Sequence, residues 1–304
     1  MRKIILGIVF VFILVISFNF EKSNIVSLKE LKYPLPPGTM QLDSNLYFDE
    51  TEITNFSYLE FVYWIKKVYG SNSQEYKSVL PDTNVWKKLG KEYERFVVEY
   101  FRHPQYRSYP VVGITYEQAL KFSKWRSDRV MEFILIKHKI IPFIPNPHKD
   151  SAFTIERYFE GRYYNIKPDK RFNNYPYYFL PDSATFQKAF KFQDSVMKKS
   201  KTKKKCSETI GIHNLAINCH NITTRNLLPT SDLLIGEYCE CCKESFIANL
   251  KGNVRELTAK EGVFFGHSFM DTCDKECNVI REDKDMVNAY TGFRNACVYK
   301  RWSK

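Results

Sequence analysis

The chain of 304 residues is 44% hydrophobic and 16% aromatic, enough for one large domain or two modest ones, which excludes a disordered chain, a low-complexity fibre or a miniprotein. Lys and Arg total 46 against 34 Asp and Glu, a net charge of +12. Six of these cations lie between Lys198 and Lys205. Without a periodic aromatic platform beside it that run reads as a solvated loop, so no nucleic-acid partner is expected, and the remaining excess suits an envelope protein facing an anionic surface.

At the N-terminus, Arg2 and Lys3 precede an unbroken apolar stretch from Ile4 to Phe18, followed by Asn19, Glu21 and Lys22. This is the pattern of an export signal. No small-x-small cleavage site stands between Val15 and Phe20, so residues 1–22 read as a signal peptide or as a retained anchor, with membrane attachment through residues 4–20. The rest of the chain has no second long apolar run and is expected to be exported: periplasmic, in the cell envelope or secreted.

Thr54 reads as a helix N-cap. The run from Asn55 to Val68 then places Phe56, Leu59, Val62 and Ile65 at helical spacing before a stop at Gly70. Thr115 and Gln118 form a capping box for a second helix, with Ala119, Phe122 and Trp125 inward. A third helix follows Leu180-Pro181-Asp182-Ser183, with Phe186, Ala189 and Phe190 inward. Between these helices, residues 138–178 and 191–235 are only weakly periodic and read as long insertions. After Gly252, Val263–Phe265 and Ala296–Tyr299 have the character of short strands. The fold class expected is α+β and loop-rich.

Motif absences narrow the chemistry. The twelve glycines supply neither G-x-G-x-x-G nor G-x-x-x-x-G-K-[ST], and the chain contains no H-E-x-x-H and no G-x-S-x-G. Cys206, Cys219, Cys239, Cys241, Cys242, Cys273, Cys277 and Cys297 all lie beyond residue 200. In an exported chain they read first as disulfide candidates. The Cys239–Cys242 cluster with Cys219-His220 offers zinc as an alternative, although it lacks the paired C-x2-C arms of a zinc ribbon.

Five blocks, in order, resemble the formylglycine-generating enzyme family, also called the sulfatase-modifying factor domain. Pro36-Pro37-Gly38-Thr39-Met40 with Glu52-Ile53-Thr54-Asn55 is similar to its opening strand and helix start. Tyr109-Pro110-Val111-Val112-Gly113-Ile114-Thr115-Tyr116 is similar to its P-V-x-x-V-S-W block, and Leu180-Pro181-Asp182-Ser183-Ala184-Thr185-Phe186 to L-P-T-E-A-E-W. Gly252-Asn253-Val254-Arg255-Glu256-Leu257-Thr258 resembles G-N-V-W-E-W-T, and Gly292-Phe293-Arg294 resembles the closing G-F-R. The resemblance covers roughly residues 30–304. It implies one loop-rich domain of that family's fold, related to C-type lectin-like domains, with insertions at about 138–178 and 191–235.

The resemblance also implies a structural calcium held by Asn249, Gly252, Val254 and Glu256, a hard-oxygen set of amide, carbonyls and carboxylate. A metal-free turn capped by Asn249 and Glu256 is the other reading of the same loop. For catalysis, the family's enzymes oxidise a client sulfatase cysteine to formylglycine with copper(I) held by two thiolates after a G-G-S motif. The corresponding residues are Ser268, Cys273 and Cys277 in Gly266-His267-Ser268-Phe269-Met270-Asp271-Thr272-Cys273-Asp274-Lys275-Glu276-Cys277. The cysteine pair is separated by three residues where the enzymes have four, His267 replaces a glycine, and Arg255 replaces the block's Trp. Cys273 and Cys277 read first as disulfide partners, with each other, with Cys297 or with the Cys239 cluster, and second as the copper pair.

Two functions compete. One is a non-catalytic envelope component, as in the family's gliding-motility lipoproteins, binding an envelope protein or a glycan. The other is a copper-dependent thiol oxidase acting on a sulfatase client peptide.

Overall fold

The computed structural model describes residues 33–201, 247–250, 252–271, 280–283 and 287–303. The expected signal or anchor, Thr202–Lys205 of the basic run, most of the 191–235 insertion and every cysteine except Cys297 lie outside the described residues. The architecture is mixed α+β, with helices set around two small four-stranded sheets.

The chain enters on an antiparallel pair, β1 (Thr39–Asp43) and β2 (Leu46–Asp49). Helix α1 (Asn55–Tyr69) starts where the Thr54 side chain accepts the Ser57 N–H, and ends at Gly70, whose φ of 93° suits a residue without Cβ. Short helices α2 (Gln74–Lys77) and α3 (Phe96–Glu99) lead to the long α4 (Tyr116–Lys137). At its start both halves of the capping box are formed: Thr115 accepts from the Gln118 N–H, and the Gln118 side chain accepts from the Thr115 N–H. Then follow α5 (Ile155–Phe159), β3 (Asn174–Phe179), α6 (Ser183–Lys201), β4 (Arg255–Leu257), β5 (Val263–Phe265), β6 (Ile280–Glu282), β7 (Thr291–Gly292) and β8 (Ala296–Arg301).

The first sheet runs β1-β2-β8-β3, all antiparallel; the second runs β6-β5-β4-β7, with β4 and β7 parallel. The segment 138–178, expected as an insertion, contributes α5 and most of β3, which pairs with β8 from Asn174↔Arg301 to Phe179↔Ala296. That edge is covered: Pro176 lacks an N–H to expose, and the Tyr178 N–H donates to Ser127 Oγ on α4 at 2.9 Å.

Helix α1 is rotated from the expected stripe. Phe56 is 48% exposed, while Tyr58, Phe61, Val62 and Val68 are buried. The first turn is held by polar contacts that fix this rotation: the buried Asn55 Nδ2 donates to the Tyr100 and Tyr106 carbonyls, and the Phe56 N–H donates to Arg107 O. Leu59 and Ile65 are partly buried against the core. Helices α4 and α6 follow the expectation, with Ala119, Phe122, Phe186, Ala189 and Phe190 buried and Trp125 packed at the core margin. Among the described residues no helix is long and apolar enough to cross a membrane.

Candidate functional site

The five sequence blocks meet in space. Backbone hydrogen bonds run from Ile53 N–H to Phe293 O, from Val111 N–H to Ile53 O and from Asn55 N–H to Tyr109 O, each at 2.8 Å. Asp49 N–H reaches Asn295 O, and Ala259 N–H reaches Pro181 O. The G-N-V-R-E and G-F-R blocks lie side by side through the parallel β4–β7 register, Arg255↔Thr291 and Glu256↔Gly292. Gly292 is tight here, since a Cβ would come within 2.8 Å of Val254 and 3.0 Å of Val111 O. Phe293, fully buried, then packs edge-on against Tyr58 and Phe122. Truncating such a ring to Ala costs about 3–5 kcal/mol.

At the centre is Arg294, with no exposed surface. Its Nε donates to both Glu256 carboxylate oxygens at 2.8 Å, and Nη2 reaches Oε1 at 2.6 Å. Nη2 also donates to Ala248 O at 2.9 Å and lies 3.8 Å from Glu52 Oε2. Glu52, also buried, accepts from Asn249 Nδ2 at 3.1 Å and from Asn253 Nδ2 at 3.0 Å. Both asparagines hold a positive φ, 58° and 68°, a conformation Asn tolerates better than most residues. Close by, Asp49 Oδ2 accepts from Arg126 Nη1 at 2.7 Å and from the Asn295 N–H at 2.8 Å. Three buried carboxylates thus face two guanidiniums. Burial pushes the Glu256 carboxyl up, opposed by Arg294 and reinforced by the charges of Glu52 and Asp49.

The four residues expected to hold calcium fall in this cluster. Asn249 lies in the turn before Gly252, whose N–H points to Asn249 O at 3.4 Å, and Val254 is buried in the neighbouring core. The oxygens are of the right chemical kind. Their arrangement is that of an ion pair, because both oxygens of Glu256 face the Arg294 fork and the Asn249 amide nitrogen turns to Glu52. As arranged, Glu256 does not fit a calcium shell: its carboxylate already has its cation, and a second cation there would meet the guanidinium's charge.

Ser268 is fully buried. Its Oγ donates to Asp271 Oδ2 at 2.8 Å and accepts the Met270 N–H at 3.2 Å, while its own N–H donates to the same Asp271 oxygen. These bonds close a turn, and the Phe269 N–H ties it to Asn253 O. Arg255 lies between the rings of Phe264 and Tyr290, 4.4 and 4.8 Å from their centroids, and donates to Thr291 Oγ1 and Asp283 Oδ2. The cation that replaces the block's Trp is thus packed into the second sheet, where cation–π contacts of this kind contribute about 1–2 kcal/mol. Cys297 carries a free, buried thiol on β8, opposite Tyr178, and burial pushes its pKa far up, so it is an inert packing residue. Cys273 and Cys277, the other two candidate catalytic residues, lie outside the described residues, as do the remaining cysteines.

Of this hub, Glu256 and Asn249 stand out in the sequence, whereas Glu52, Asn253 and Arg294 do not, although all three lie inside the family-like blocks. Charged residues recurring within otherwise apolar blocks were the available signal. Comparison of the chain with protein-family models, with curated proteins and with solved structures found no match.

Proposed function

We propose that this is an exported, non-catalytic component of the cell envelope, built on a domain of the sulfatase-modifying factor type and binding an envelope protein or a glycan. The observation that carries the reading is the meeting of the five family-like blocks around Arg294 and Phe293. Residues that resemble a family's signature here engage one another in a buried ionic and aromatic hub, the arrangement of a scaffold and not of an open reaction site. Ser268 and Arg255 support the same view, since both are engaged inside the fold and neither offers a group to a substrate.

In this reading the Arg294 guanidinium, and not a metal, neutralises the Glu256 carboxylate. The domain then needs no metal for its core, and its binding work falls to its surface. The competing reading, copper(I) held by Cys273 and Cys277 for oxidation of a sulfatase cysteine, depends on thiolates at those two positions. Cell fractionation tests the location: the full chain is expected in the envelope or secreted fraction, and a cytoplasmic protein with an intact N-terminus would overturn it. Assay of the copper-treated protein on a cysteine-bearing sulfatase peptide tests the absence of catalysis.

A further inference from the structure

One end of the domain gathers cations around the point where the described chain begins. Tyr33 is buried there: its hydroxyl accepts the Asn174 N–H at 2.9 Å and donates to Arg171 O, and its ring contacts Phe172 and Tyr299. The Tyr299 hydroxyl returns to Pro34 O at 2.6 Å. The Trp302 N–H binds Asn173 O, and the ring of His138, at the end of α4, lies 4.9 Å from that of Phe172. These contacts place the end of β8, the start of β3, the turn before it and the C-terminus of α4 at one pole.

The exposed charged side chains carried by those four elements are basic: Lys137, Lys139, Lys167, Lys170, Lys300 and Arg301, with Arg171 beside them. The carboxylates nearby are already engaged. Asp169 pairs with Arg171 at 2.6 Å, Glu160 pairs with Arg162, and Asp43, at the turn where Asn45 meets Tyr299, pairs with Lys188 at 3.3 Å. A second lysine-rich stretch, Lys87, Lys88, Lys91 and Arg95, is interleaved with Glu92 and Glu94 and lacks this one-sided charge.

We propose that this basic pole docks on an anionic phospholipid surface. Charge complementarity is the first argument: each basic residue held near such a surface raises affinity about fivefold. The second is connectivity, and it rests on the export reading of the N-terminus. In sequence, fourteen residues, 19–32, separate Tyr33 from the apolar run Ile4–Phe18, a length of chain that can span at most about 50 Å. If that run is held in a bilayer, the pole at Tyr33 is the part of the domain tethered to its surface.

The test uses the full chain with vesicles of phosphatidylcholine alone and of phosphatidylcholine containing a quarter phosphatidylglycerol. Binding is expected to be at least tenfold tighter to the anionic vesicles and to weaken with salt. Lysine modification should be suppressed at Lys167 and Lys170 but not at Lys87 and Lys88. The variant Lys137→Glu, Lys167→Glu, Lys170→Glu, Arg301→Glu is expected to lose the anionic preference, whereas Lys87→Glu, Lys88→Glu, Lys91→Glu keeps it. A glutamine version of the first set, which adds no new charge, should lose about half of the preference on a logarithmic scale and guards against misfolding. Equal binding to both vesicles, equal loss in both variant sets, or protection at Lys87 instead of Lys167 would overturn the proposal. None of these outcomes depends on where the cell sends the protein, so failure here is separable from failure of the export reading.

Discussion

Replacing Arg294 by alanine removes the fork to Glu256, at 2.6–2.8 Å, and the bond to Ala248 O. It leaves Glu256 and Glu52 as buried carboxylates without their guanidinium, since both are under 5% exposed. Breaking one side of a buried pair in this way costs about 3–5 kcal/mol, a large part of the roughly 5–15 kcal/mol that holds a domain folded. With a urea dependence of about 2 kcal/mol per molar, the unfolding midpoint should fall by about 2 M. Arg294→Lys keeps the charge but replaces a planar fork with a point donor, so its midpoint should lie between wild type and Arg294→Ala. Arg294→Met combined with Glu256→Gln should cost at least 1 kcal/mol less than the sum of the two single changes. A loss below 1 kcal/mol in Arg294→Ala, or strict additivity in the pair, would refute the hub as a cooperative ionic centre.

Burial pushes the Asp128 carboxyl up to about 6, only partly offset by Lys124 and by the Ile155 N–H it accepts. Because the folded pKa lies above the ordinary value near 3.9, the associated stability is complete below about pH 4 and is lost as pH rises through 6, about 3 kcal/mol in all. Asp128→Asn, which keeps the acceptor, should flatten this part of the stability–pH profile and be the more stable protein at pH 7; parallel profiles for the two proteins would count against it. Thermal melts in calcium and in chelator should superimpose, since Arg294 already serves Glu256, and a higher melting temperature in calcium would show that the metal shares that carboxylate. Gly113 has φ +71° and a Cβ there would stand 2.3 Å from Asp82 O, so Gly113→Ala should destabilise by about 1–3 kcal/mol; an unchanged urea midpoint would contradict that backbone constraint.

Much of the scaffold was legible because its signals are local. Thr54, Thr115 with Gln118, and Gly70 act through bonds and dihedrals within a few residues, so a single sequence exposes them. The α+β class and the β5 and β8 strands followed in the same way. Strand β3 was hidden inside an expected insertion because Pro176 interrupts its donor ladder and its tyrosines fall on both faces. Phe56 fitted a helical stripe, yet the Asn55 contacts to Tyr100 and Tyr106, 45 and 51 residues away, decide the rotation of α1. The hub was visible only as blocks. Its bonds join Glu256 to Arg294 across 38 residues and Glu52 to Asn253 across 201, and no periodicity encodes such pairings. The packing of Arg255 was hidden for a related reason: its aromatic partners Phe264 and Tyr290 arrive from two other segments, so the sequence shows only a cation in place of the block's Trp.

The central claim, that the domain serves as a scaffold and not as an oxidase, is tested most directly by incubating the reduced, copper(I)-treated protein with a cysteine-bearing sulfatase peptide and measuring aldehyde by mass spectrometry. The account predicts aldehyde at background level, unchanged by Cys273→Ser or Cys277→Ser. A copper-dependent aldehyde that disappears in either variant would contradict it and establish the formylglycine-generating activity.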